Sequence, residues 1–205
     1  MQKFDGVVLG NYRTNANSMN LENSWRFNRH SLVPTPLSSD VPHENKVLGD
    51  GMRWLQLNKN QPVILALNFH SSNSGANDPA SFYPHFGSAE QYTDQQKNLG
   101  KRQTDFIRQV DLHYESPIQS PPGEGFLTYY PETWWWHNKK DEVNAITLET
   151  AYGRAGLGHW ITPENYRKLG KAIAEAIAGS DPVSSAHSRP RRSSMLTWIA
   201  CKGAR

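Results

Sequence analysis

The chain has 205 residues, of which 37% are hydrophobic and 20% charged, with a formal net charge of +3. That length suits one domain with room for a core. The mean hydropathy of −0.71 and the lack of an apolar run near the ~20 residues of a helical span exclude a membrane helix; the single Cys201 excludes an internal disulfide and a cysteine-built metal centre.

The charge is unevenly spread. Residues 180–205 hold Arg189, Arg191, Arg192, Lys202 and Arg205 against Asp181 alone, whereas residues 1–179 hold 17 basic and 18 acidic residues. The body is near neutral, so the expectation is no nucleic-acid and no membrane partner. Residues 1–20 lack the charged start and apolar stretch of a secretory signal, which gives a cytoplasmic expectation. The oligomeric state is not encoded in any motif.

In chain order, residues 1–32 are rich in Asn and turn chemistry. Pro34, Pro36 and Pro42 with Ser38 and Ser39 mark a loop. Pro42 then opens a predicted helix with Val47, Leu48, Met52 and Leu55 on one side, interrupted by Gly49 and Gly51. Val63 to Leu67 is a continuous apolar run and reads as a fully buried strand of the parallel-sheet kind. His70 lies just past it, and Ser71–Gly75 reads as a loop. Leu99, Gln103, Phe106, Ile107 and Val110 fit one helix face. Residues 116–125, with Pro117, Pro121, Pro122, Gly123 and Gly125, read as a second loop. Trp134, Trp135 and Trp136 read as core and pocket wall.

Ala145 to Leu148 is a second short strand with Glu149 at its end. Thr162-Pro163-Glu164 is a helix start, with Thr as N-cap and Pro at the first helical position. Tyr166, Leu169, Ile173 and Ile177 continue one face, and Gly179 stops it. Helices alternating with buried strands predict an α/β sandwich. We therefore expect a domain over 1–179 and a basic, disordered tail over 180–205.

Two polar residues end the two predicted buried strands: His70 and Glu149. Ligands in open α/β sheets bind beyond the carboxyl ends of strands. A histidine there can ligate a metal, and a glutamate can act as general base on an activated water. Taken alone, a histidine beside a strand is more often a hydrogen-bonded loop residue. A glutamate there is as well suited to an ion pair. His85, His113, His137 and His159 have no ligand spacing between them and read as structural.

The N-terminal segment adds to this. Asp5-Gly6, Gly10-Asn11-Tyr12-Arg13, Asn20-Leu21 and Trp25 resemble a stretch of the M14-type zinc carboxypeptidases, in the bacterial and cytosolic branch. Asn68-Phe69-His70-Ser71 resembles the segment that bears that family's third zinc ligand. Thr147-Leu148-Glu149-Thr150 resembles the segment that bears its catalytic glutamate. The match covers residues 5–178 and corresponds to the C-terminal half of the family's catalytic domain. It implies a three-layer α/β/α sandwich with a mixed, largely parallel sheet. It also implies a zinc-dependent hydrolase of peptide or amide bonds.

The resemblance implies roles residue by residue. His70 would ligate zinc, Arg13 would stabilise the oxyanion, and Glu149 would move the proton. Tyr129 or Tyr130 would contact substrate, and Asn23 would stand in the carboxylate-binding position. Two departures accompany it. No H-x-x-E, the family's other zinc-ligand pair, occurs in the sequence, so one ligand is supplied where about three are needed. Either a longer reading frame carries that pair, or the product does not perform the reaction. Leu21-Glu22-Asn23 stands where the family has Leu-Asn-Arg, and Glu22 would repel the carboxylate that an arginine clamps. The alternatives are a zinc amidohydrolase of the aspartoacylase and succinylglutamate-desuccinylase type, acting on N-acyl amino acids, and a non-catalytic peptide-binding remnant.

Overall fold

The computed structural model describes residues 8, 10, 14–25, 41–57, 62–71, 75–123 and 130–179, and the backbone of 195–200. Helices are α1 (His43–Leu57), α2 (Asp94–His113), α3 (Pro131–Lys139) and α4 (Pro163–Gly179). Strands are β1 (Val63–Ser71), β2 (Ala80–Tyr83), β3 (Ile118–Gln119), β4 (Asn144–Thr150) and β5 (Met195–Ala200), bonded in the order β3-β2-β4-β1-β5. β2 pairs antiparallel with β4 and parallel with β3. The sheet is thus mixed, as expected of an α/β fold.

The chain divides into two compact units. The first comprises Met1–Asn68, Gly125–Ala145 and Arg192–Arg205, and the second Phe69–Glu124 and Ile146–Arg191. In the first unit the Asn-rich segment makes its own turns. Asn15 Oδ1 accepts from the Asn17 and Met19 amides, each at 3.0 Å, and its Nδ2 donates to Glu44 Oε1 at 3.0 Å. These bonds satisfy a side chain that is itself buried. The core of this unit joins Trp25, Met52, Val63, Ala66, Trp134, Trp135, Val143 and Ala145. Trp134 and Trp135 meet edge to face with ring centroids 5.2 Å apart. At about 25 cal/mol per Å² over 150–250 Å², each buried indole contributes roughly 4–6 kcal/mol of transfer free energy.

Helix α1 forms as predicted, and Met52, Leu48 and Leu55 of its predicted face meet the core; Val47 does not. Asn45, Gly49, Met52 and Gln56 are buried, and Val47 is 58% exposed. The reason is polar: Asn45 Nδ2 donates to the Leu21 carbonyl at 2.7 Å, which draws that side of the helix inward.

In the second unit, α2 buries all five predicted positions, Leu99, Gln103, Phe106, Ile107 and Val110. It starts on a capping box in which Thr93 and Gln96 satisfy each other's backbone amides. α4 buries Leu169, Ala172, Ile173 and Ala176 and packs against α2. Tyr166 remains 39% exposed, since its hydroxyl reaches the Ala151 carbonyl at 2.9 Å. Close approach is built with glycine: a Cβ on Gly100 would lie 2.1 Å from the Phe86 carbonyl oxygen.

Three boundaries differ from the sequence expectation. β1 runs on through His70 to Ser71, β4 runs through Glu149 to Thr150, and two residues of the 116–125 loop form β3. Residues 195–200, expected within a tail, form strand β5 beside β1. The rest of 180–205 lies outside the described residues.

Candidate functional site

His70 and Glu149 are each the penultimate residue of their strands, β1 and β4. Both belong to the second unit. The ends of the two strands are tied together. The Thr150 hydroxyl lies 3.1 Å from the His70 carbonyl oxygen, to which it donates, and 3.2 Å from Ser71 Oγ. The carboxyl ends of β1 and β4 therefore coincide, and the strands run the same way. The sequence places His70 and Glu149 79 residues apart, and the sheet brings their strand ends together.

The neighbouring strands extend this polar edge. Glu149 is paired with Ser81 on β2, and Ser81 with Gln119 on β3. Directly opposed residues share a sheet face, so Gln119, Ser81 and Glu149 form one transverse row. Ser81 Oγ donates to Gln119 Oε1 at 3.4 Å. Glu149 and His70 are both half-buried, and the His70 Nε2 is buried. A carboxylate at a half-open strand end, beside hydroxyl and amide groups, can accept a proton from a water and still exchange it.

Asn23 is exposed on the turn after Leu21, and Tyr130 is half-buried at the N-cap of α3. Both belong to the first unit. Arg13 and Tyr129 lie outside the described residues. Glu22 has a definite partner in the first unit: Asn68 Nδ2 donates to its Oε1 at 2.9 Å. The sequence reading missed Thr150, Ser71, Ser81 and Gln119. Ser71 and Thr150 had one sequence signal, their place next to a candidate site residue in a family-like segment; Ser81 and Gln119 had none.

A zinc ion fits the described residues poorly. Catalytic zinc takes about three protein donors. Among the described residues no group of three or more His, Cys, Asp and Glu side chains is placed to hold a metal. His70 is a single donor.

No protein-family model and no curated protein matches the sequence. Solved structures do match. A metallo-carboxypeptidase from Burkholderia cenocepacia superposes with a TM-score of 0.61 at 20% identity, over 86% of this chain and 42% of that protein. A metallo-carboxypeptidase from Pseudomonas aeruginosa, solved in complex with (2-guanidinoethylmercapto)succinic acid, superposes with a TM-score of 0.55 at 17% identity, over 86% and 43%. The chain thus spans about two-fifths of the length of the structures it matches. Over that span it has the fold of the M14-type metallo-carboxypeptidases.

Proposed function

We propose that the chain is part of a peptide- or amide-bond hydrolase of the metallocarboxypeptidase type, with Glu149 as general base and His70 as a metal donor. The observation that carries this reading is the coincidence of the carboxyl ends of β1 and β4, where both residues sit. Amide hydrolysis needs one group to take a proton from the attacking water and return it to the leaving nitrogen. Glu149 is suited to both transfers, because a carboxylate at a half-buried strand end can gain and lose a proton without rearranging the sheet. In this reading Arg13 stabilises the developing oxyanion, and Asn23 and Tyr130 contact substrate. The described residues do not complete a zinc site.

Residues 22 and 23 bear on the substrate. Glu22 and Asn23 replace an amide and a guanidinium suited to a terminal carboxylate, and Glu22 is already engaged by Asn68. This supports a substrate with a cationic or neutral group at that position. The ligand of the Pseudomonas aeruginosa protein combines a guanidinium with a succinic acid, which supports a peptide-like substrate carrying both charges. An N-acyl amino acid is the other substrate class compatible with the missing clamp.

The test is zinc content together with hydrolysis of C-terminal peptides and N-acyl amino acids, measured side by side. Wild type is expected to turn over one of the two substrate classes. Glu149→Gln should lower turnover by about 10²–10⁴-fold with the fold unchanged, and His70→Ala should lower metal content. Turnover by Glu149→Gln at the wild-type rate would overturn the reading. A second reading is a peptide binder that does not cut; it is compatible with the lack, among the described residues, of a three-donor metal group. It predicts peptide binding with no turnover of either substrate class.

A further inference from the structure

The segment between β4 and α4, residues 151–162, leaves the sheet directly after Glu149 and Thr150 and is held in a constrained shape. Gly153, Gly156 and Gly158 have φ of 73°, 76° and 74°, and Ala155, with a side chain, has φ of 49°. Ala155 is also buried, and its carbonyl accepts a short hydrogen bond from the Ser116 hydroxyl. The Ile161 amide donates to the Gly153 carbonyl at 2.7 Å, and the Leu157 amide to the Arg154 carbonyl at 2.8 Å. A non-glycine residue in the left-handed region persists where its surroundings over-determine it, and such residues concentrate at ligand-contacting segments.

This loop is also tied to the segment that follows His70. The Arg154 amide donates to the Ala76 carbonyl at 2.6 Å, and a Cβ on Gly153 would lie 2.5 Å from that same oxygen. Arg154 is therefore anchored by its backbone where the segments leaving β1 and β4 meet, in the same unit as His70 and Glu149. Its side chain faces outward. The guanidinium carbon lies 6.0 Å from the Trp160 ring centroid, and Trp160 is 65% exposed. Tyr152, 38% exposed, stands on the same loop. Asp78, on the turn that Arg154 bonds to, is engaged by the Gly75 amide at 2.7 Å. A guanidinium laid on an indole keeps the edge of its donor fork available, and that fork matches a carboxylate.

We propose that Arg154, supported by Trp160, binds a carboxylate of the substrate peptide. The identity of the ligand rests on the peptide-hydrolase reading; the site itself rests on the loop. The carboxylate is either the peptide's C-terminus or an acidic side chain.

The test is binding of dye-labelled short peptides to the full chain by fluorescence anisotropy. Three peptides are compared: one with a free C-terminus and an internal glutamate, its C-terminal amide, and its Glu→Gln analogue. Wild type is expected to prefer the first over one of the other two by about ten-fold or more, and which one identifies the carboxylate. Arg154→Gln should remove that preference, and Arg154→Lys should keep only part of it because the fork is lost. Thermal unfolding should be unchanged in both variants, since the anchoring bonds of Arg154 are backbone bonds. A preference that survives Arg154→Gln, or wild-type binding without any preference, would overturn this proposal and leave the hydrolase reading standing. No binding of any peptide by wild type would count against both.

Discussion

Thr150 Oγ1 lies 3.1 Å from the His70 carbonyl oxygen and 3.2 Å from Ser71 Oγ. One hydroxyl thus fixes the relation between the ends of the two strands that carry the candidate site. Thr150→Val keeps the shape and removes the hydroxyl. It removes the hydrogen bonds to the His70 carbonyl and Ser71 Oγ, at a cost of about 1–3 kcal/mol. A urea titration should show the midpoint falling without a change in slope. Thr150→Ser should hold most of the stability, and equal loss in Ser and Val would show that the methyl, not the hydroxyl, matters.

Two helical glycines should respond to alanine with opposite signs. Replacing Gly by Ala in a helix ordinarily stabilises by about 0.5–1 kcal/mol. Gly170 on α4 is exposed with nothing within 4 Å of a built Cβ, so Gly170→Ala should raise stability by that amount. At Gly100 the new methyl would lie 2.1 Å from the Phe86 carbonyl oxygen and 2.8 Å from its carbon. Backbone cannot yield as a flexible side chain does, so overpacking of about 1–3 kcal/mol wins over the propensity gain. Melting temperatures of the two variants, compared with wild type, check the pair.

The surface pair of Glu115 and Lys168 gives a pH dependence. Hydrogen bonds from Lys168 and from Asn165 hold the Glu115 carboxyl below the usual glutamate range. A depressed carboxyl contributes stability above its unfolded pKa and loses it as pH falls through its folded pKa. The stability gap between wild type and Glu115→Gln should therefore be present at neutral pH and close under acid, below about pH 4. Since the carboxyl is solvent-exposed, salt should narrow the same gap. A gap that stays constant from pH 7 down to acid would show that the carboxylate's charge contributes nothing.

Gly153 offers a check on the loop alone. Its φ of 73° is strained for alanine, and a Cβ would strike the Ala76 carbonyl oxygen at 2.5 Å. Gly153→Ala should cost about 1–3 kcal/mol. Hydrogen exchange of the Arg154 amide, which donates to Ala76, should accelerate more than exchange in α2. Uniform acceleration across the unit would mean that the loop is not a separate clamp.

The sequence by itself determined the elements whose signals are local. The apolar run from Val63 and the Thr-Pro-Glu start at 162 are physical consequences of backbone sterics and side-chain burial, and both elements formed where expected. The strands bearing His70 and Glu149 were legible as apolar runs, although each runs on past its apolar signal, through the polar residue. The sequence could not decide what depends on distant partners. Asn45, not Val47, faces the core because the Leu21 carbonyl lies in reach of its amide. Glu149 stands in a row with Ser81 and Gln119 because strand register, a non-local property, places them opposite one another. Arg154 comes to the carboxyl ends of β1 and β4 because its amide meets the Ala76 carbonyl, 78 residues earlier in the chain. Those hydrogen bonds form only when separated segments are folded together, so their geometry belongs to the tertiary structure.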